Sequence, residues 1–343
     1  MRVLVTGGAG YFGELLVRKL LQQGCQVRIF DLNRTDPPNS GIDDVQGDIR
    51  DPFAITTACS GMDVVFHNVA QVPLAKDRHL FWSVNRDGTE NLLRACLEQH
   101  VSKVIYTSSS AVYGVPKSNP VTEETPPSPA EDYGRAKMAG ERLCGEYADR
   151  GLDVSIVRPR TIMGHGRLGI FQILFEWIYQ GCNIPVFNGG ANTYQFVHAG
   201  DLAEACILAS RRKGAEAYNC GTDRFGTMRE VLEHLCAFAG TGSRVRSLPM
   251  GPMVLGMKVC SRLGLSPLGA YHALMYGRSM YFDISKARTQ LGWQPRYSNN
   301  EMFVESYRWY VDNRQTVLSR PTGVSQHQSA VGERALAVLR WLL

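Results

Sequence analysis

The chain has 343 residues, 44% of them hydrophobic and 20% charged, which excludes a disordered protein and, at roughly 150 residues per domain, allows two domains or one large one with a lobe. Its net charge of +5 comes from 37 Lys and Arg scattered among 32 Asp and Glu, without the basic block that nucleic-acid binding needs, so no nucleic-acid partner is expected. Nine Cys with no CxxC pair and no zinc-like spacing read as free thiols in a reducing compartment, and no metal is expected.

Met1-Arg2 runs straight into Val3-Leu4-Val5-Thr6, a buried strand entering a glycine turn, which leaves no room for a signal peptide. No run of 18 or more apolar residues occurs to span a membrane, so a cytoplasmic protein is expected. The helix after the turn, Gly13 to Gln23, carries Leu15, Leu16, Leu20 and Leu21 on one face. Val27 to Phe30 is a second strand, ending at Asp31, and a further short strand precedes Gly47. Asp63 to His67, Lys103 to Thr107 and Val154 to Arg158 are strands again, with helices over about 85–99 and 132–150 between them. This alternation predicts βαβ units and an α/β, doubly wound parallel sheet with ligand at the carboxyl ends of its strands. After about residue 160 the rhythm loosens into helices over Phe171 to Gln180 and Asp201 to Ser210, separated by turns such as Asn188 to Asn192. The expected division is a core over 1–160, to which strands from later in the chain can return, a partly interleaved substrate-binding lobe over 161–312 and a tail over 313–343.

Thr6-Gly7-Gly8-Ala9-Gly10-Tyr11-Phe12-Gly13 sets Gly7, Gly10 and Gly13 in a GxxGxxG pattern between strand and helix. Such glycines permit a tight turn, admit a pyrophosphate to the backbone and let helix and strand pack closely, while the helix N-terminus offers N–H groups to the phosphates. Asp31 ends the next strand 18 residues after Gly13. A carboxylate there accepts hydrogen bonds from the adenosine ribose and repels a 2′-phosphate, favouring NAD over NADP; Arg34 nearby works against that preference. Asp48 in Gly47-Asp48-Ile49 reads either as a partner for the adenine amino group or as a turn or capping residue.

Tyr133-Gly134-Arg135-Ala136-Lys137 is a YxxxK pair whose spacing sets both side chains on one helix face. A phenol ionises near about pH 10, and an adjacent ammonium together with a positive nicotinamide ring favours the phenolate. Tyr133 then accepts a proton from a substrate hydroxyl as hydride leaves its carbon, or donates one in reverse. Upstream, Tyr106-Thr107-Ser108-Ser109-Ser110 brings hydroxyls to the sheet's carboxyl edge.

In this order and spacing, TGGAGYFG, Asp31, GDIRD, TSSSAVYG, YGRAK and RPRTIMG resemble the extended short-chain dehydrogenase/reductase family, over residues 1 to about 312. That family includes NAD-dependent epimerases and dehydratases and 3β-hydroxysteroid dehydrogenases. The resemblance implies a Rossmann fold, with Tyr133 as acid/base and Lys137 binding the nicotinamide ribose and lowering the Tyr133 pKa. It makes Ser109 the hydroxyl that orients the substrate oxygen, with Ser108 and Ser110 out of register. Gly7, Gly10, Tyr11, Phe12, Gly13, Asp31, Asp48, Ile49, Val69, Ala70 and Pro159 are the implied neighbours of NAD, and Asn85 opens the family's NxxGT segment. A homodimer formed through helices around 90–99 and 133–150 is also implied.

Departures from the family pattern bear on the reaction. Ser110 and Ala111 stand where dehydratases and sugar decarboxylases carry an acid, which argues against both. Tyr194 and Thr161 stand where relatives that hold a nucleotide diphosphate have Arg and Asn, which weakens a nucleotide-sugar substrate. Arg160, Arg167 and Arg278 are the cations that remain, each read first as a solvated surface charge. Leu248 to Leu274 is apolar and Met-rich, either lobe core or cover for a flat apolar ligand. The apolar tail Ala335 to Leu343 packs on the lobe or a partner subunit, with peripheral membrane contact left open. The resulting expectation is an NAD-dependent oxidoreductase acting on a secondary alcohol or ketone of an apolar, sterol-like small molecule. Spontaneous CO2 loss follows where the product is a β-keto acid. The alternative is a nucleotide-sugar 4-epimerase using the same three residues.

Overall fold

Apolar runs too short for helices become strands buried on both faces, and the computed structural model describes them within residues 1–34, 41–71, 78–164, 166–248 and 277–319. In chain order the first half gives β1 (Arg2–Thr6), α1 (Tyr11–Gln22), β2 (Gln26–Asp31), β3 (Asp43–Gln46), α2 (Pro52–Cys59) and β4 (Val64–His67). It continues with α3 (Arg78–Trp82), a π turn over Ser83–Asp87, α4 (Gly88–Glu98), β5 (Lys103–Thr107), α5 (Asp132–Asp149) and β6 (Val154–Pro159). The second half gives β7 (Thr161–Met163), α6 (Ile170–Tyr179), β8 (Ile184–Phe187), β9 (Thr193–Tyr194), β10 (Phe196–His198) and α7 (Ala199–Arg211). After these come β11 (Ala217–Cys220), β12 (Gly226–Thr227), α8 (Met228–Ala239), β13 (Val245–Leu248), α9 (Ser285–Leu291) and α10 (Asn299–Ser319).

Seven strands form one parallel sheet in the order β11-β6-β5-β4-β1-β2-β3. The order reverses between β1 and β4, which opens a crevice beyond their carboxyl ends where a doubly wound sheet binds its ligand. One face is covered by Leu16, Val17 and Leu20 of α1 and Leu202, Ala203 and Cys206 of α7. The other is covered by Ile55 of α2, Leu92, Leu93 and Cys96 of α4, and Leu143, Cys144 and Tyr147 of α5. A third apolar cluster belongs to the lobe, where Phe171 and Phe175 of α6 meet Val231, Leu232 and Leu235 of α8 and Met302, Phe303, Tyr307 and Tyr310 of α10.

Three features add to or adjust the sequence expectation. β11 is a later strand of the kind expected to return to the core, and it joins the main sheet beside β6; Ala217-Tyr218-Asn219-Cys220 is too short to announce itself, and pairing defines it. α2 follows from Asp51, whose carboxylate accepts from the Phe53 and Ala54 amides, with Pro52 at the first helical position. The boundary expected at 312/313 falls inside α10, which continues unbroken to Ser319. Residues 249–274 of the apolar segment, and 320–343 of the tail, lie outside the described residues.

Candidate active site

The glycine turn is built from contacts that exclude side chains. Gly7 has φ +72°, a Cβ on it would come 3.0 Å from the Val69 amide, and one on Gly13 would come 2.0 Å from the Gly7 carbonyl oxygen. Gly10 caps α1 with no side chain of its own, so the positive end of the helix faces the crevice between β1 and β4 uncovered. Asp31, at the carboxyl end of β2, accepts from the amides of Ala9 (3.2 Å) and Asn33 (3.0 Å), which ties it to the turn. Burial pushes its carboxyl above the usual range, against the pull of those amides. These are residues into which a dinucleotide fits: a backbone cradle a methyl would fill, a helix start for phosphate, and a carboxylate for ribose.

Other residues assigned to the cofactor occupy varied settings. Both Asp48 oxygens engage the Arg50 guanidinium at 3.0 Å, which holds the carboxyl below its usual range, so the turn reading of Asp48 suits its surroundings better than adenine recognition. Ile49 is a buried side chain packed on Gly88, and Phe12 is buried in the sheet's core. The Tyr11 hydroxyl donates to the Gly164 carbonyl. Beyond β4, Asn85 accepts from the Gln71 amide (2.8 Å) and donates to its carbonyl (3.0 Å), bracing the strand exit that carries Val69 and Ala70. Pro159 ends β6 at the same edge.

Tyr133 reaches this edge because α5 starts there. The Glu131 carboxylate caps the helix by accepting from the Tyr133 and Gly134 amides, both at 2.7 Å. A Cβ on Gly134 would lie 2.4 Å from the Ala111 carbonyl oxygen, so only glycine lets α5 approach the short 3₁₀ turn Ser110–Tyr113 that closely. That approach brings the Tyr133 phenol beside Ser109, whose hydroxyl favours the phenolate, with Phe81 edge-on to its ring at 6.4 Å. One turn on, the Lys137 ammonium donates to the Thr107 carbonyl at 2.8 Å and lies 4.9 Å from the Tyr106 ring centroid.

Electrostatics depart from the expectation that Lys137 draws the Tyr133 pKa down. Burial pushes the phenol up to about 12, and the opposing pulls come from the Ser109 hydroxyl and the Arg167 charge. Burial also lowers Lys137 to about 8, partly offset by Cys144 and Glu141. Arg167 is no surface charge: its Nε and Nη1 are buried without a hydrogen-bond partner among the described residues, its guanidinium lies 5.5 Å from the Tyr11 ring, and burial lowers it to about 10. Ser109 is thus the hydroxyl on Tyr133, whereas Ser108 donates to Glu141 (2.6 Å) and Ser110 accepts from Arg160 (2.8 Å).

A model of the family described as NAD dependent epimerase/dehydratase matches residues 3–221. The chain belongs to that family. It is 56% identical over 341 residues to the uncharacterized protein y4nG of Sinorhizobium fredii, covering 99% of this chain and 86% of the relative. A UDP-glucose 4-epimerase of Lactobacillus helveticus is 30% identical (90% and 97% covered). A 3-beta-hydroxysteroid dehydrogenase of Mycolicibacterium neoaurum is 28% identical (93% and 94% covered). Among solved structures, the Thermus thermophilus UDP-glucose 4-epimerase in complex with NAD superposes with a TM-score of 0.72 at 29% identity, over 90% of this chain and 99% of that one. The protein is therefore an NAD-dependent enzyme of oxidoreductase type, and NAD is its cofactor.

Within this family frame, the two substrate-side departures meet each other. Thr161 and Tyr194 share a hydrogen bond at 2.9 Å between their hydroxyls, and the Tyr194 ring carries the Arg160 guanidinium at 4.5 Å. Behind the site, Arg158 grips Glu141 with Nε (2.9 Å) and Nη2 (2.7 Å), fastening α5 to β6. The sequence reading passed over Glu131 and Glu141. Glu131 is marked only by its cap position two residues before Tyr133, and Glu141 only by standing one turn past Lys137.

Proposed function

We propose that the protein oxidises or reduces a secondary alcohol or ketone on an apolar, sterol-like substrate, using Tyr133, Ser109 and Lys137. The observation that carries this reading is the Tyr133 phenol set beside Ser109, whose hydroxyl favours the phenolate, with the buried Lys137 ammonium one helical turn away. Gly7, Gly10, Gly13 and Asp31 would hold the dinucleotide, with Val69, Ala70 and Pro159 along its path and Lys137 on the nicotinamide ribose. When bound, NAD supplies the hydride acceptor and a positive ring. Ser109 orients the substrate oxygen, and Tyr133 takes the hydroxyl proton as the C–H bond breaks, or returns it in reduction. Phe81 packs edge-on against the phenol ring. The apolar preference is supported by the Thr161–Tyr194 pair, which offers no cation for a diphosphate. With a β-carboxylate on the substrate, oxidation gives a β-keto acid that loses CO2 without a further catalytic group.

A nucleotide-sugar 4-epimerase is the second reading, favoured by the inward-facing Arg160 and Arg167, which suit a charged substrate. A homodimer in the cytoplasm fits either; among the described residues no helix is long and apolar enough to cross a membrane. The deciding experiment incubates the purified protein with NAD and either a hydroxysteroid panel, including 4-carboxy sterols, or UDP-glucose and UDP-galactose. NADH accumulation with a hydroxysteroid supports the first reading. Interconversion of the UDP-sugars with no net NADH, and silence with every steroid, overturns it.

A further inference from the structure

Buried charges among the described residues mostly come with partners, and Arg160 and Arg167 beside the proposed site depart from that, Arg160 being the more completely buried. Arg158 pairs with Glu141, Arg314 with Glu176, Lys103 with Asp153 and Arg296 with Asp201. Arg160 is 1% exposed, yet among the described residues no carboxylate faces it. Its Nη1 donates to the Ser110 hydroxyl at 2.8 Å and touches the Met280 sulfur at 3.3 Å, while Nε and Nη2 have no hydrogen-bond partner among the described residues. Tyr194 and Phe282 stack at 4.5 and 5.6 Å from the guanidinium. Such stacking returns only part of what desolvating a cation costs, and a guanidinium keeps its charge when buried.

The orphan pair has a specific shape. Nε and Nη2 form the side edge of the guanidinium, two parallel N–H groups matched to the two oxygens of a carboxylate. Other arginines of this chain use that edge for that purpose, Arg50 on Asp48 among them. Arg158 places it on Glu141 at 2.9 and 2.7 Å, and Arg314 places it on Glu176 at 2.8 and 2.7 Å. Arg160 leaves the same edge unfilled next to the chemistry, since it follows Pro159 and is held by Ser110, the neighbour of the Ser109 beside Tyr133.

We propose that the Nε–Nη2 edge of Arg160 is a subsite for a carboxylate on the substrate, gripped bidentately beside Ser109 and Tyr133. Calling that molecule the substrate rests on the active-site reading above; the subsite itself rests on Arg160. The surrounding Tyr194, Phe282 and Met280 set an apolar frame in which such an ion pair is strong, so the ligand is an acid on an apolar ring or chain.

Melting curves of the full chain, with and without NAD, test this using cyclohexanecarboxylate, its neutral counterpart cyclohexanol, and inorganic phosphate. The carboxylate raises the wild-type midpoint by a few degrees and cyclohexanol does not. In Arg160→Met the apparent Kd for the carboxylate weakens by about tenfold or more, as expected for two lost charge-assisted bonds. Arg160→Lys, which keeps the charge but not the fork, falls between. Arg160→Met melts at or above the unliganded wild type, because an apolar side chain replaces an uncompensated cation, so loss of the shift does not reflect misfolding. No carboxylate-specific shift, an equal shift in Arg160→Met, or a shift with phosphate alone overturns the proposal. A separate NAD titration by protein fluorescence keeps the two readings apart. A wild type that fails to bind NAD overturns the active-site reading, whereas the carboxylate shift is read without it.

Discussion

Tyr133 is held as a neutral phenol by its own protein, with burial outweighing both the Ser109 hydroxyl and the Arg167 charge. General acid–base catalysis by such a group contributes about 10²- to 10⁴-fold. Tyr133→Phe is therefore expected to cut turnover by at least about 10²-fold while leaving NAD affinity close to wild type, as measured by single-turnover NADH formation and NAD titration. Retained turnover removes Tyr133 from the chemistry. At this scale the sequence is informative about spacing and silent about surroundings. YxxxK places two side chains on one face, and Glu131 and Gly134 then deliver that face to Ser109. Arg160 and Arg167 look like solvent-seeking charges in one dimension. Their inward placement is made by Tyr194, Phe282 and Tyr11, which lie far from them in the chain. Asp48 shows the converse, a residue whose local neighbour Arg50 claims it.

Among the elements, the β1–turn–α1 unit was the most legible, because each glycine answers a local steric demand. A Gly13→Ala side chain would sit 2.0 Å from the Gly7 carbonyl oxygen, inside any allowed contact. Overpacking of this kind costs about 1–3 kcal/mol, and here relief requires the turn to move away from α1. The expected result is a lower melting midpoint together with NAD affinity weakened by about tenfold or more. An unchanged NAD titration would show that the cradle tolerates the methyl. β11 and α2 were less legible for different reasons. β11 is only four residues long, and its strand character is supplied by β6; α2 is announced only by its Asp51-Pro52 start.

For the molecule as a whole, one buried histidine couples stability to pH. His67, on β4, bonds Thr6 of β1 through Nδ1 (2.8 Å) and Thr89 of α4 through Nε2 (3.1 Å), and burial followed by the Lys137 charge lowers it to about 3 from 6.5. The folded form thus keeps a neutral ring where the unfolded chain takes up a proton. The associated stability is complete above about pH 6.5 and is lost as pH falls toward about 3. Between pH 7 and pH 5 the loss amounts to about 2 kcal/mol, and a His67→Asn variant lacks that part of the slope in urea titrations. Parallel slopes in the two proteins would show that carboxylates, not His67, set the acid limit.

The strand order also bears on synthesis at the ribosome. Tyr133 and Lys137 emerge well before Cys220, yet α7 and β11 supply one covering of the sheet and its outermost strand. A nascent chain stalled at residue 160 holds the three reactive side chains on a sheet with one bare flank and an unpaired rim. Such a fragment invites chaperones or aggregation rather than dinucleotide. The sheet is consequently complete only once the second half of the chain has packed onto the first.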